Sequence, residues 1–389
     1  MFFDKILDFF KIDREDDKPY FSSYHKASEN LVPSSNSLRE CDDPHDHIYE
    51  IFDYWRCHSY SRKPYIYSRE ASRAEKQEYA LIDILSCFSK GARNIDNFSL
   101  IRLNNLGITN WKSYTQRLIS NGYIVQANIV DALIASYNVK ELKTIAESVG
   151  VKKTGAKSEL SQRIASVLAP SDVNRILNES PLYIISEKGN SRIEGNEDYV
   201  LLHKYLHLVS LAEFNDNRIP SGGRYRRNFY DTMFQILSNR KFFYEFSGNF
   251  QDAGLTALHL GHLMLEEHKR TTHNVPLDVI LANYAEYLYL CSCYCFHVNS
   301  ALKYEIYPNT YTGYILPDLT KEFASLTSQE PYLDYNFLFA NKPPSFFTQS
   351  EFRQYIHEKL TSPMFDFQKW NRKIQNRVKE FDNIAKGGL

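Results

Sequence analysis

Apolar residues recur at helical spacing from the start of the chain: Phe2, Phe3, Ile6, Leu7 and Phe10 predict an opening amphipathic helix. Asp4, Lys5, Asp8 and Lys11 balance in charge, so the helix has no cationic face for anionic lipid and is expected to pack on its own protein. Residues 13–46 are acidic and carry Pro19, Pro33, Pro44 and a Ser34–Ser37 polar run, the pattern of a linker or loosely ordered arm. A helix is predicted from about Ser72 to Phe88, with Tyr79, Ile82, Leu85 and Cys87 on its apolar stripe.

The segment 97–126 predicts a helix capped by Asn110 and running through Tyr114, Leu118 and Ile119. Asn121-Gly122 ends it in a left-handed turn, and a short strand, Tyr123 to Val125, follows. Helix, turn and strand fit the recognition helix and wing of a winged-helix domain. They fit equally a small α/β packing unit.

Residues 137–168, YNVKELKTIAESVGVKKTGAKSELSQRIASVL, predict two short helices joined by an extended loop. Val139, Leu142, Ile145, Ala146 and Val149 form the first apolar face, and Gly150 ends that helix. Gly155 permits a tight bend in the loop, and Ser158 is placed to cap a second helix bearing Leu160, Ile164, Val167 and Leu168.

This segment resembles the SAP domain, a DNA-binding helix–loop–helix. The resemblance is carried by Val139-Lys140-Glu141-Leu142-Lys143, by Gly150 with the aliphatic Val151, by the turn Thr154-Gly155-Ala156-Lys157, and by Glu159-Leu160 with Arg163-Ile164. It departs at Val151-Lys152-Lys153, where many members carry a leucine and a proline. The resemblance implies a DNA-contacting site made of Lys140, Lys143, Lys152, Lys153, Thr154, Gly155, Lys157, Ser158 and Arg163. The lysines and the loop N–H groups suit phosphate, as does the start of the second helix. No Arg or Asn/Gln pair stands out in this segment to read bases, so largely sequence-independent contact with double-stranded DNA is expected. The same lysines also fit a solvated face on a unit that only docks proteins.

Beyond Pro181 the run 181–197 predicts a β-hairpin around Lys188-Gly189-Asn190. Helices follow at about 199–213, 227–246, 250–269, 276–298 and 366–385. The small residues from Ala253 to Met264 suit an antiparallel helix pair, and the tail repeats Trp370, Ile374, Val378, Phe381 and Ile384 every three or four positions. Consecutive long helices predict a tetratricopeptide-like or other helical array, although no consensus repeat recurs.

The fold expected is therefore mainly α with minor β, in four parts. These are an N-terminal helix and acidic linker (1–46), a small, winged-helix-like or simply packed α/β unit (47–130), the SAP-like segment (131–170) and a helical domain with a leading hairpin (171–389). With 389 residues, 43% of them hydrophobic, the chain can bury more than one core.

A formal net charge of −1 argues neither way for nucleic acid, but its distribution does. Residues 1–60 hold 7 basic and 13 acidic side chains, residues 61–170 hold 16 and 9, and the rest hold 23 and 25. A polyanion would dock on the middle. Arg224, Tyr225, Arg226 and Arg227, after a Gly pair, form a secondary candidate for gripping phosphate and stacking on a base, or a solvated helix start. The charges at Asp4, Lys5 and Asp8 break a signal-peptide core, and no run reaches the roughly 20 apolar residues a membrane span needs.

Catalytic and metal chemistry find little support. Cys41, His45, His47, Cys57 and His58 match no zinc spacing. Cys291, Cys293 and Cys295 with His297 sit in an apolar helical stretch where alternate residues point apart, so buried thiols in a reducing cytosol are expected. His203 and His207 lack the intervening glutamate of a metalloprotease helix, and His259 with His262, Glu266, Glu267 and His268 lack matching ligands from a second helix. Glu141-Leu142-Lys143 would fit a nuclease element but belongs to the SAP-like helix. The sequence contains no Walker loop or nucleophile elbow.

The function expected is that of a cytoplasmic, nucleoid-associated, bacterial accessory protein, of phage or mobile-element type, with no cofactor and no catalytic residues. It contacts duplex DNA through the SAP-like unit and a protein, or a second copy, through the C-terminal half. The rival is an interaction effector whose SAP-like unit is structural, and a cryptic nuclease ranks last.

Overall fold

A computed structural model describes residues 44–58, 63–95, 98–179, 181–218, 225–270, 275–296, 318–326, 333–340, 342–362 and 364–387. It is mostly helical with one small three-stranded sheet, the fold class expected. The opening helix and nearly all of the acidic arm lie outside the described residues. The chain forms two compact units: Tyr67–Met233, and Met1–Ile66 together with Phe234–Leu389. Residues 47–66 thus go with the C-terminal half, and residues 171–233 with the centre. Helix α1 (Pro44–Cys57) belongs to the second of these units.

The central unit begins with α2 (Arg73–Phe88), started by a reciprocal cap in which the Ser72 hydroxyl accepts from Glu75 N and Ser72 N donates to the Glu75 carboxylate. Strand β1 (Arg93–Asn94), α3 (Leu100–Asn105), α4 (Trp111–Ser120) and β2 (Ile124–Gln126) follow. Asn110 caps α4, its Oδ1 accepting from Ser113 N at 3.0 Å, and Gly122 turns the chain into β2 at φ +71°, both as expected. Ile84, Leu85, Phe88, Leu103, Leu118 and Ile124 share one core.

Between β2 and the next strand stand α5 (Ile129–Ser136), α6 (Val139–Ser148), α7 (Lys157–Val167) and α8 (Pro170–Glu179). Strand β3 (Leu182–Ile185) then returns to the centre of the sheet, in the order β1-β3-β2 with both pairings antiparallel. Ile124 faces Ile185 across β2 and β3, and Arg93 faces Tyr183 across β1 and β3. The small α/β unit therefore draws strands from both sides of the SAP-like segment.

The hairpin expected at 181–197 is only half present. Its first strand is β3, but Ser186 then accepts from Gly189 N at 3.0 Å and starts α9 (Glu187–Ile193). Gly189 is not a turn residue: a Cβ there would collide with the Tyr123 carbonyl and come within 2.6 Å of Ile185 Cγ1. The glycine lets the helix lie against the strands. The helix expected over 199–213 is also divided, into α10 (Glu197–Leu202) and α11 (Leu211–Asn217), because Ser210 caps a new helix through Glu213 N. Arg69 ties the segment before α2 to α11, bonding both Glu75 and Asp216.

Helix α12 (Tyr225–Phe246) supplies residues to both units. In the second unit, α13 (Phe250–Arg270) and α14 (Leu277–Cys291) run antiparallel, as the contacts of His268 with Val275 and of Asn283 with Met264 show. Gly254 and Gly261 bring α13 close to Leu290 and Tyr284, the small-residue packing expected. Short helices α15 (Thr320–Ala324) and α16 (Tyr335–Phe339), then α17 (Gln349–Thr361) and α18 (Phe367–Gly387), complete the unit among the described residues. Trp370, Ile374, Val378 and Phe381 of α18 are buried as the tail periodicity predicted. Among the described residues no helix is long and apolar enough to cross a membrane.

Candidate nucleic-acid interface

Helix α6 opens with a reciprocal cap. Asn138 Oδ1 accepts from Lys140 N and Glu141 N at 2.9 and 3.0 Å, and the Glu141 carboxylate accepts from Asn138 N at 2.7 Å. Leu142 and Ala146 are fully buried with Leu133 of α5 and with Leu160 and Ile164 of α7. Burying each Leu or Ile contributes roughly 1.5–3 kcal/mol, which holds the helices at fixed spacing. Lys140 and Lys143, on the opposite side of α6, are exposed. Val139 and Val167 do not join the expected apolar faces. They are 42% and 49% exposed, because each stands at a helix end beyond the reach of the core.

The α6–α7 loop turns outward at Gly150, while Val151 N donates back to Ala146 O at 2.8 Å and its side chain packs on the core. Residues 152–156 are exposed. Gly155 adopts φ +120°, a conformation that L side chains rarely adopt, and a Cβ would strike the Glu159 carboxylate and approach Arg163 Nη2 to 2.8 Å. Among the described residues, no partner accepts from the backbone N–H groups of Lys152, Lys153, Thr154 or Gly155.

Ser158 is not the cap of α7. The cap position is Ala156, the helix begins at Lys157, and Glu159 accepts from Ala156 N at 3.3 Å. Ala156 has no side-chain acceptor, so only the glutamate half of a reciprocal cap forms. Ser158 is an exposed residue of the first turn.

The candidate cations divide into two kinds. Lys153 pairs with Glu147 at 2.8 Å, and Arg163 donates to Thr154 O and to Glu159 O, so Arg163 braces the loop. Among the described residues, the ammonium groups of Lys140, Lys143, Lys152 and Lys157 have no hydrogen-bond or ion-pair partner. Lys152, Thr154, Gly155, Glu159, Gln162, Arg163 and Ser166 line a shallow, open depression of about 590 Å³. Gln162 and Ser166 were not singled out from the sequence. Their spacing of one helical turn from Glu159 and from Arg163 along α7 was the available signal.

The secondary candidates are not brought to this site. Arg224 lies outside the described residues, and Tyr225, Arg226 and Arg227 occupy the start of α12. No group of three or more His, Cys, Asp or Glu is placed to hold a metal among the described residues. His47 is buried, with Nε2 2.7 Å from the Ser345 carbonyl. His203 follows the end of α10, so it and His207 do not face each other along a helix. Cys291, Cys293 and Cys295 are free buried thiols, raised by burial above the ordinary thiol range, Cys295 to about 12. Cys41 and His297 lie outside the described residues.

No protein-family model matches the chain, and no curated protein matches it. The resemblance of residues 137–168 to the SAP domain stands on those residues themselves.

Proposed function

We propose that the protein is a DNA-binding accessory or adaptor whose α6–loop–α7 segment is a SAP-type unit gripping duplex phosphates. One observation carries this reading: the exposed loop after Gly150 and the first residue of α7 combine the ammonium groups of Lys152 and Lys157 with a run of backbone N–H donors, all of them without a partner among the described residues. Phosphate oxygens accept from both kinds of donor. Lys140, Lys143, Lys152 and Lys157 are the phosphate contacts, joined by Lys153 when it leaves Glu147, with Thr154 and Gly155 contributing backbone N–H groups. Arg163 holds the loop in shape, and Ser158 offers a hydroxyl from the first turn.

The order of α2, β1, α3, α4 and β2, with β3 central, supports a winged-helix-like unit in which α5–α8 occupy the connection between the last two strands. Recruitment of a protein or a second copy falls to the C-terminal half. Phe242 and Phe246 of α12 support that part, being 50% and 72% exposed.

Fluorescence-anisotropy titration of labelled duplex DNA at two salt concentrations tests the proposal, comparing wild type with Lys152→Glu/Lys153→Glu/Lys157→Glu. Salt-sensitive binding that the triple variant sharply weakens is the expected result. Absence of binding even at low salt refutes it and transfers the case to the interaction-effector reading.

A further inference from the structure

We infer that the exposed face of α4 is a second DNA contact, one that reads base edges in the major groove. The inference rests on the DNA-binding function proposed above and deepens it by assigning sequence preference to a separate element.

Helices α3 and α4 are joined by the short turn 106–110, a helix–turn–helix. Its internal packing is fixed by the burial of Leu103, Ile108 and Leu118, and by Trp111 Nε1 donating to Ile95 O at 2.5 Å. Thr115 and Leu118 face inward, so Lys112, Ser113, Gln116, Arg117 and Ser120 emerge together on the outer side. These positions fall on one helical stripe. A second helix standing on a braced first helix, with its outer side free, is the geometry that enters a major groove.

The chemistry of the stripe selects the occupant. Arg pairs in bidentate fashion with guanine and Gln with adenine, while Lys and Ser serve phosphate or either base. Among the described residues, the side chains of Lys112 and Gln116 have no partner, and the Arg117 guanidinium lies 5.4 Å over the Tyr114 ring. From Asn97 through Val130 the chain contains no Asp or Glu, but it does contain Arg102, Lys112 and Arg117. Lys188 adds a cation beside the end of α4, donating to Asn121 O at 2.7 Å. The core of a protein-docking face is enriched in aromatic and Met side chains. On α4 the apolar residues are buried or half-buried, and only polar ones are exposed.

The placement fits as well. Strand β2 follows α4 directly, and the α5–α8 unit leaves from β2 and returns at β3, where Ala127 N donates to Leu182 O at 2.8 Å. The segment that carries the phosphate-gripping loop and the reading helix thus both connect directly to β2 in one compact unit.

The test is selection from a pool of duplexes with randomised cores, followed by sequencing of the bound fraction. Wild type is compared with Gln116→Ala/Arg117→Ala, with Arg117→Lys, and with the loop triple variant. Circular dichroism confirms that each keeps its helical content, and every substituted side chain is exposed or half-exposed. Wild type is expected to enrich a motif containing guanine or adenine at fixed positions by about tenfold or more. The double variant should keep salt-sensitive binding but lose the motif. Arg117→Lys retains the charge, loses the fork, and should lose the motif with little change in total affinity. The loop triple variant should bind more weakly and still enrich the same motif. Wild-type binding without enrichment, or a motif that survives in the double variant, overturns the inference while leaving the proposed function intact. No binding by wild type at low salt overturns both.

Discussion

Salt dependence gives the sharpest test of the phosphate-gripping loop, because the number of free lysines predicts a slope. Lys140, Lys143, Lys152 and Lys157 have unpaired ammonium groups among the described residues, whereas Lys153 is held by Glu147 at 2.8 Å. Each neutralised phosphate contributes about −0.9 to the slope of log K against log salt, so four contacts give about −3.6. Raising salt from about 50 to about 200 mM then weakens binding by roughly 150-fold. Replacing Lys152 and Lys157 with Gln removes two contacts, halves the slope to about −1.8, and reduces the same loss to roughly 12-fold. Gln keeps the length and polarity of the side chain, and both positions are outside the buried core of α5–α8, so the fold should persist. The assay is anisotropy titration of a non-specific duplex across a salt series for both proteins. A double variant with the wild-type slope, at any affinity, would show that these lysines do not meet phosphate.

Three further outcomes follow from the geometry. Glu147→Gln frees Lys153 from its exposed ion pair and should raise affinity for the same duplex about two- to threefold at low salt, an effect that vanishes at high salt. Gly155→Ala forces a side chain into a left-handed conformation against Glu159 and Arg163. It should destabilise the α5–α8 unit by about 1–3 kcal/mol, read as faster hydrogen exchange at Leu160 and Ile164. In the other unit, burial and the nearby Glu286 carboxylate raise the Glu245 pKa from 4.5 to about 7. The folded chain therefore holds a proton that the unfolded chain has released, and stability should fall as pH rises through that window. Denaturant titrations at several pH values should show the fall, and Glu245→Gln should flatten it.

Local signals carried much of the fold. Ser72 with Glu75, Asn110 before Trp111, and the apolar spacing of Trp370 to Phe381 each fixed an element, because a cap or a stripe is written in consecutive residues. What escaped were features set by distant partners. Lys188-Gly189-Asn190 has the composition of a turn, yet Gly189 is needed because the Tyr123 carbonyl approaches from another segment. The central place of β3 was hidden for the same reason, since its partners lie more than 50 positions back in the chain. At the site, the lysines and glycines were legible one by one. That Arg163 would brace Thr154, and that α7 would begin at Lys157 with Glu159 accepting from Ala156 N, depended on how the loop folds back over α7.

The two proposed DNA contacts ask opposite things of their residues, and the sequence separates them accordingly. Phosphate gripping depends on charge number and tolerates mobile side chains, which suits Lys152 on the exposed loop and Lys157 at the start of α7. Base reading depends on the direction of each hydrogen bond, so its side chains must leave a rigid support. Gln116 and Arg117 leave a helix whose inner face is buried through Leu118 and whose first residue is fixed by the Trp111 bond to Ile95. Because the α5–α8 segment leaves from β2 and returns at β3 within the same compact unit as α4, DNA held at the proposed loop would be concentrated at α4 without a long linker. A weak, salt-sensitive contact can then deliver the duplex, and a short helix with few base contacts can suffice to choose among sequences.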